Sequence, residues 1–253
     1  YKMIKSIDHK KMGRGIHGWL DSHFHFSFAE YYNPQNLRFG VLRVMNDDLV
    51  QCGTGFDTHP HEDMEIISYV VNGELTHKDS MGNQRTLSRG QIQYMSAGTG
   101  VTHSEYNHGK ELLRFFQIWI FPDQEGYRPN YGDVLLKLED RFDKWLVLAS
   151  SVDNGGSKAP VKVHQDINAW AAIIGPGKSL DIAVAPDRQA YLALIEGSAA
   201  LRGAEGSSAS LEMRDAAEIS GESFTITARP APEASGPDAN PGAHVIVIEM
   251  ARG

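Results

Sequence analysis

Short apolar runs broken by glycine and asparagine, never prolonged into a helical repeat, limit what this 253-residue chain can fold into. Candidate strands are Phe39–Met45, Asp63–Val71, Gly73–Asp79, Ile92–Met95 and Leu112–Ile120. Asn72-Gly73 and Met81-Gly82-Asn83 fall between them, and such pairs are hairpin signals. The pattern predicts antiparallel β-structure, as packed sheets or a barrel. After Ser151–Pro160, a loop by composition, strand-like runs resume at Trp170–Ile174, Leu180–Val184, Ala190–Ile195, Ser223–Ala228 and His244–Glu249. Two β units in tandem follow, divided near residues 150 and 151. Arg202–Ser210 and Arg229–Gly242 read as loops, the second as a surface excursion, and a short helix is expected over Asn130–Phe142.

A hydrophobic fraction of 41% is enough for a packed core. The net charge of -8 argues against nucleic acid or an anionic membrane as a direct partner. Cys52 is the single cysteine, so no internal disulfide forms. With no signal-peptide pattern and no apolar run long enough to span a bilayer, the cytoplasm is the expected compartment.

Chemistry concentrates in two short pairs, His59-Pro60-His61 and His103-Ser104-Glu105. Residues two apart on a strand share a face, so each pair offers two donor atoms to one point. The pairs lie 42 residues apart, enough for intervening hairpins that return the strands to each other. Three imidazoles and a carboxylate would leave positions open on a six-coordinate divalent ion, as a catalytic metal needs. A structural zinc site is less consistent with one cysteine. Asp63 and Glu65 continue the alternation beyond His61. Glu65 is the alternative carboxylate ligand, and Asp63 is placed at the rim. Pro60 suits an edge strand, and Gly98 and Gly100 suit a tight turn before His103.

Other histidines carry less. His23-Phe24-His25 has no carboxylate in register and reads as a chance pair. His164 and His244 lie 80 residues apart, so the second unit repeats neither pair. The stretch Trp19–Phe28 would either cover one end of the first barrel or pack aromatics between the two units, the second being preferred, and Lys162–Asp166 reads as a structural connection.

The spacing around these pairs resembles the cupin barrels. Gly53, His59-Pro60-His61, Glu65 and Gly73 follow the first cupin motif. Gly90, Ser96-Ala97-Gly98, His103 and Asn107 follow the second, with serine in place of proline and a last spacer two residues longer. That departure brings Glu105 forward and argues against Glu65. Within the cupins the chain resembles the pirin family, through F-D-T-H-P-H-E-D-M-E-I-I-S-Y-V, S-A-G-T-G-V-T-H-S-E-Y-N, R-F-F-Q-I-W-I and K-V-H-Q-D. It is most similar to bacterial pirin-like proteins with quercetin 2,3-dioxygenase activity.

The resemblance implies an all-β bicupin of two jelly-roll-like barrels, spanning 3–150 and 151–253, with metal in the first only. It implies His59, His61, His103 and Glu105 as ligands of one divalent ion. Fe(II) is the expected metal, with Ni, Mn, Co, Cu and Zn as alternatives. The implied reaction opens a flavonol ring with dioxygen and releases carbon monoxide, Glu105 taking the 3-hydroxyl proton. A flat polyphenol needs an apolar slot, for which Phe56, Phe115, Gln117 and Trp119 are the candidates. Two other readings stand beside this one: a metal-binding regulatory protein without turnover, and a metalloenzyme for another small aromatic or enolic compound. A chain that already pairs two barrels is expected to be a monomer.

Overall fold

The computed structural model describes residues 3–230 and 242–252. Alternation of buried and exposed side chains produces the strands, as in Val101–Tyr106, where Val101, His103 and Glu105 point inward and Thr102 outward. The first strands in chain order are β1 (Met3–Ile7), β2 (Gly13–Ile16), β3 (Leu20–Phe24), β4 (Leu42–Val50), β5 (Gly55–His61), β6 (Glu65–Asn72), β7 (Leu75–Asp79), β8 (Gln84–Leu87), β9 (Ile92–Ser96), β10 (Val101–Tyr106), β11 (Leu113–Ile120) and β12 (Asn130–Val134). Then follow β13 (Leu146–Ser151), β14 (Val161–Val163), β15 (Ile167–Ile174), β16 (Ser179–Ile182), β17 (Arg188–Gly197), β18 (Ala199–Gly203), β19 (Ser208–Leu211), β20 (Ala216–Ser220), β21 (Phe224–Ala228) and β22 (Ala243–Ala251).

The strands form two compact units. The site-bearing unit, Met12–Leu138 with Val163–Gln165, holds a seven-stranded sheet ordered β12-β9-β6-β11-β4-β3-β2 and a four-stranded sheet ordered β5-β10-β7-β8. The other unit repeats the plan, with β1-β20-β17-β22-β15-β13-β14 and β16-β21-β18-β19. Its interior is packed with aliphatic side chains, among them Ile174, Leu192, Leu194, Val245 and Val247. The all-β bicupin architecture is thus present.

Three expectations need correction. Residues 3–7 are β1, which pairs antiparallel with β20, so the start of the chain joins the later unit and no single cut near 150 divides the two. Asn130–Val134 is a strand on β9, where it extends the sheet, and only Leu138–Arg141 turns as a short helix. The open ladder edge of β9 pairs this backbone from Asn130 opposite Ser96 to Val134 opposite Ile92. Within Arg202–Ser210 only residues 204–207 turn, because β18 and β19 pair as a hairpin up to Arg202 opposite Ser208. Most of the expected excursion Arg229–Gly242 lies outside the described residues.

Candidate metal centre and its cavity

Strand register brings the two pairs together. β5 is the edge of its sheet, which suits Pro60, and His59 stands opposite His103 on β10. One irregularity follows at once: Glu105 pairs with Phe56, so β5 carries an extra residue between the two matches. Before β10 the chain turns at Gly98 (φ 46°) and Gly100 (φ 130°). A Cβ on Gly98 would lie 1.9 Å from the Tyr127 carbonyl oxygen, so only glycine fits.

The Nε2 atoms of His59 and His61 each lie 3.0 Å from Nε2 of His103. His59 Nδ1 donates to the Asp57 carbonyl at 2.7 Å, which leaves its Nε2 a bare lone pair facing the other rings. Burial, then the neighbouring His103 and His59, pushes His61 down to about 4; burial, then His59 and His77, pushes His103 down to about 3. A neutral His103 Nε2–H can donate to only one of the two facing nitrogens, whereas a cation between them would engage all three lone pairs. Metal–nitrogen bonds of about 2.1 Å at right angles would space adjacent nitrogens at roughly 3.0 Å. The donor set therefore fits a divalent metal.

Glu105 is placed differently from the histidines. Donor atoms within 4.8 Å of one another form His59–His61–His103 and, sharing His103, His77–His103–Glu105. A further group, Asp8–His9–Asp215, lies in the other unit and is closed by a 2.7 Å contact between His9 and Asp215. The Glu105 carboxylate is held from the opposing sheet. Oε1 accepts from Ser68 Oγ (3.2 Å) and Gln93 Nε2 (3.1 Å), and Oε2 from Gln117 Nε2 (2.5 Å).

His77 is the residue that the spacing arguments passed over. It is fully buried, stands opposite Glu105 in register, and its Nδ1 lies 3.4 Å from His103 Nδ1. Its Nε2 meets Asp79 Oδ2 at 2.8 Å, and Tyr131 stacks on the ring. The signal was present: His77-Lys78-Asp79 is a third pair with the same two-residue spacing.

Glu65 turns elsewhere. Its oxygens accept from Tyr94 Oη (2.8 Å), Ser96 Oγ (2.5 Å) and the His164 backbone N–H (3.0 Å). The left-handed Asp63 (φ 43°) ends the alternation before β6, and its carboxylate accepts from Gly126 N–H.

A cavity of about 450 Å³ opens beside the histidines. His59, His61 and Glu105 line one part of it, with Phe56, Gln117 and Trp119 among the walls. Phe115 does not line it. That ring is fully buried with Leu20, Val50, Val70 and Leu113, in the cluster on which Trp19 and Phe56 rest. The stretch Trp19–Phe28 also departs from expectation. β3 pairs with β4, so Trp19, Leu20, Ser22, Phe24 and Phe28 line the cavity rather than serving only as packing. Trp119 meets both His61 and Phe28 edge-on.

Asp48 also faces this space. It is buried, takes a hydrogen bond from Ser22 Oγ, and burial, in spite of that bond, pushes its carboxyl up to about 7. An unfolded chain releases this proton near pH 4 while the folded one keeps it to about 7, so stability falls as pH rises across that window. In metal-free protein, Asp48→Asn is expected to match the wild type at pH 4. By pH 8 it should be more stable by roughly 3–4 kcal/mol. Urea titrations at both pH values measure this, and an equal difference at both would refute it.

Comparison with known proteins agrees with the geometry. Residues 6–120 match the Pirin family model and residues 147–234 the model described as the quercetinase C-terminal cupin domain. A putative quercetin 2,3-dioxygenase of Pseudomonas aeruginosa is 43% identical over 201 residues, covering 79% of this chain and 86% of that one. The chain belongs to the pirin family. A pirin-like protein of Caulobacter vibrioides is 41% identical over 227 residues, covering 89% of this chain and 95% of its own length. The crystal structure of the Escherichia coli pirin YhhW in complex with nickel(II) superposes with a TM-score of 0.84 at 33% identity, covering 99% of this chain and 100% of that one. This chain is a metal-binding pirin-family cupin homologous to quercetin 2,3-dioxygenases. No helix among its described residues is long and apolar enough to cross a membrane.

Proposed function

We propose that this pirin-family chain opens the central ring of quercetin-type flavonols with dioxygen, both oxygen atoms entering a phenolic ester product and one ring carbon leaving as carbon monoxide. The observation that supports this most is the junction of the histidine cluster with an aromatic-walled cavity. Its volume of about 450 Å³ suits a small planar ligand. Trp19, Phe24, Phe28, Phe56 and Trp119 offer flat apolar surface, which favours a flavonol over a smaller enolic substrate and over a regulatory role without turnover. The related proteins named quercetin 2,3-dioxygenase point the same way.

In this reading His59, His61, His103 and Glu105 hold one divalent metal, with Fe(II) the first choice. The nickel(II) complex of the Escherichia coli relative supports tolerance of other ions. The metal supplies Lewis acidity toward the flavonol 3-hydroxyl and an electron path to dioxygen. Glu105 takes the 3-hydroxyl proton, while Ser68, Gln93 and Gln117 keep its carboxylate in one orientation. The aromatic walls fix the ring plane and exclude water.

His77 and Asp79 set the tautomer of His103. With Nε2 of His103 given to the metal, its Nδ1–H donates to His77 Nδ1, and His77 Nε2–H donates to Asp79. His77→Gln is expected to weaken metal binding roughly 10–100-fold by competition with a chelator, and an unchanged affinity would refute this role.

The function is tested by headspace carbon monoxide from quercetin under air, with protein loaded with Fe(II) or Ni(II) and His61→Ala as control. Metal-dependent release absent from the control is expected. No release from protein shown to contain either metal would overturn the assignment.

A further inference from the structure

One row of side chains crosses the large sheet from Phe24 through Asn46, Gln117 and Ser68 to Gln93, on β3, β4, β11, β6 and β9. Directly paired residues share a face. Gln117, Ser68 and Gln93 are all used to hold Glu105. Asn46 is not. It is 3% exposed, lines the cavity, and its Oδ1 accepts no hydrogen bond from the protein. A buried amide oxygen left without a donor is costly and uncommon. Two residues along β4, on the same face, Asp48 also lines the cavity and is as deeply buried. Among the described residues Ser22 Oγ is its hydrogen-bond donor, to Oδ1.

We propose that Asn46 and Asp48 form a second polar pole of the cavity, accepting hydrogen bonds from ring hydroxyls of the substrate other than the one presented to the metal site. The site thereby selects polyhydroxylated planar aromatics over the same ring system without those hydroxyls. This rests on the flavonol reading of the same cavity and adds its specificity. The chemistry follows from the acceptor oxygens of the two side chains, of which Asn46 Oδ1 has no donor. Phenolic hydroxyls are donors, and both positions offer acceptor oxygens beside the aromatic side chains of the wall. Burial that holds the Asp48 carboxyl up to about 7 is offset when a donor arrives. Aromatic walls alone would favour the less polar ring, so a preference for the hydroxylated one requires polar partners.

The test is anaerobic titration of metal-loaded protein, followed through the fluorescence of the cavity residues Trp19 and Trp119, with quercetin and with 3-hydroxyflavone. The wild type should bind quercetin about 10–100-fold more tightly. Asn46→Leu and Asp48→Leu should each lose most of that ratio with little change for 3-hydroxyflavone, and Asp48→Asn, which keeps an acceptor oxygen, should retain it. Melting curves establish that the variants are folded, and the Asp48 pair gives an answer independent of Asn46. A wild-type ratio near one, or variants that weaken both ligands equally, would overturn the proposal. Selective binding without carbon monoxide release in air would sink the dioxygenase reading and leave this one standing. Release without selectivity would do the reverse.

Discussion

His103→Ala is expected to remove metal binding and, with it, carbon monoxide release from quercetin. His103 is the residue shared by both donor groups, and it is the one against which His59 and His61 each sit at 3.0 Å. Removing it takes away the donor nitrogen common to both groups and also separates His77 and Asp79 from the histidine cluster. The loss of affinity should exceed the roughly 10–100-fold that follows when only an orienting partner of a ligand is lost. The folded barrel should survive, because His103 packs among the polar side chains of the two donor groups and outside the aliphatic clusters. Metal content after dialysis, with a urea midpoint as the control for folding, decides the matter. Wild-type metal content in folded His103→Ala would remove this residue from the site.

Asp47→Ala is expected to cost about 3–5 kcal/mol of stability. Asp47 is 1% exposed and makes a two-point contact with Arg114, Oδ1 to Nε and Oδ2 to Nη2, both at 2.8 Å. Removing the carboxylate takes the two-point partner from a guanidinium whose side chain is 10% exposed. The pair also ties β4 to β11, the strands that present Asn46, Asp48, Gln117 and Trp119 to the cavity. Arg114→Leu in the Asp47→Ala background should recover a large part of the loss, because the buried charge that lost its carboxylate is then gone. Urea denaturation of the two variants measures both effects. A single-variant loss below about 1 kcal/mol would mean that water reaches Arg114 and the pair contributes little.

Local periodicity made much of the molecule readable. Alternation and Asn-Gly breaks are properties of a few consecutive residues, and they placed β6, β7, β9, β11, β15, β17 and β22 close to where they lie. The same two-residue period brought His59 and His61 to one point and His103 to another opposite it. Where the pattern was weak, local reading failed. Asn130–Val134 became a strand because β9 offered an edge, and β1 joined the later unit because β20 did.

The sequence by itself determined the β class, the tandem halves and the two-residue spacing of the His59/His61 and His103/Glu105 pairs, because each is written in neighbours along the chain. Only the tertiary structure decided how those parts meet. It turned Glu65 toward Tyr94, Ser96 and His164, and it brought Ser68, Gln93 and Gln117 from three strands onto Glu105. It buried Phe115 beneath the cavity while opening Ser22, Asn46 and Asp48 into it. A strand's period fixes which side a residue faces. Which strand lies across from it, and whether the space between is filled, depends on pairing between distant segments, and no local pattern specifies that.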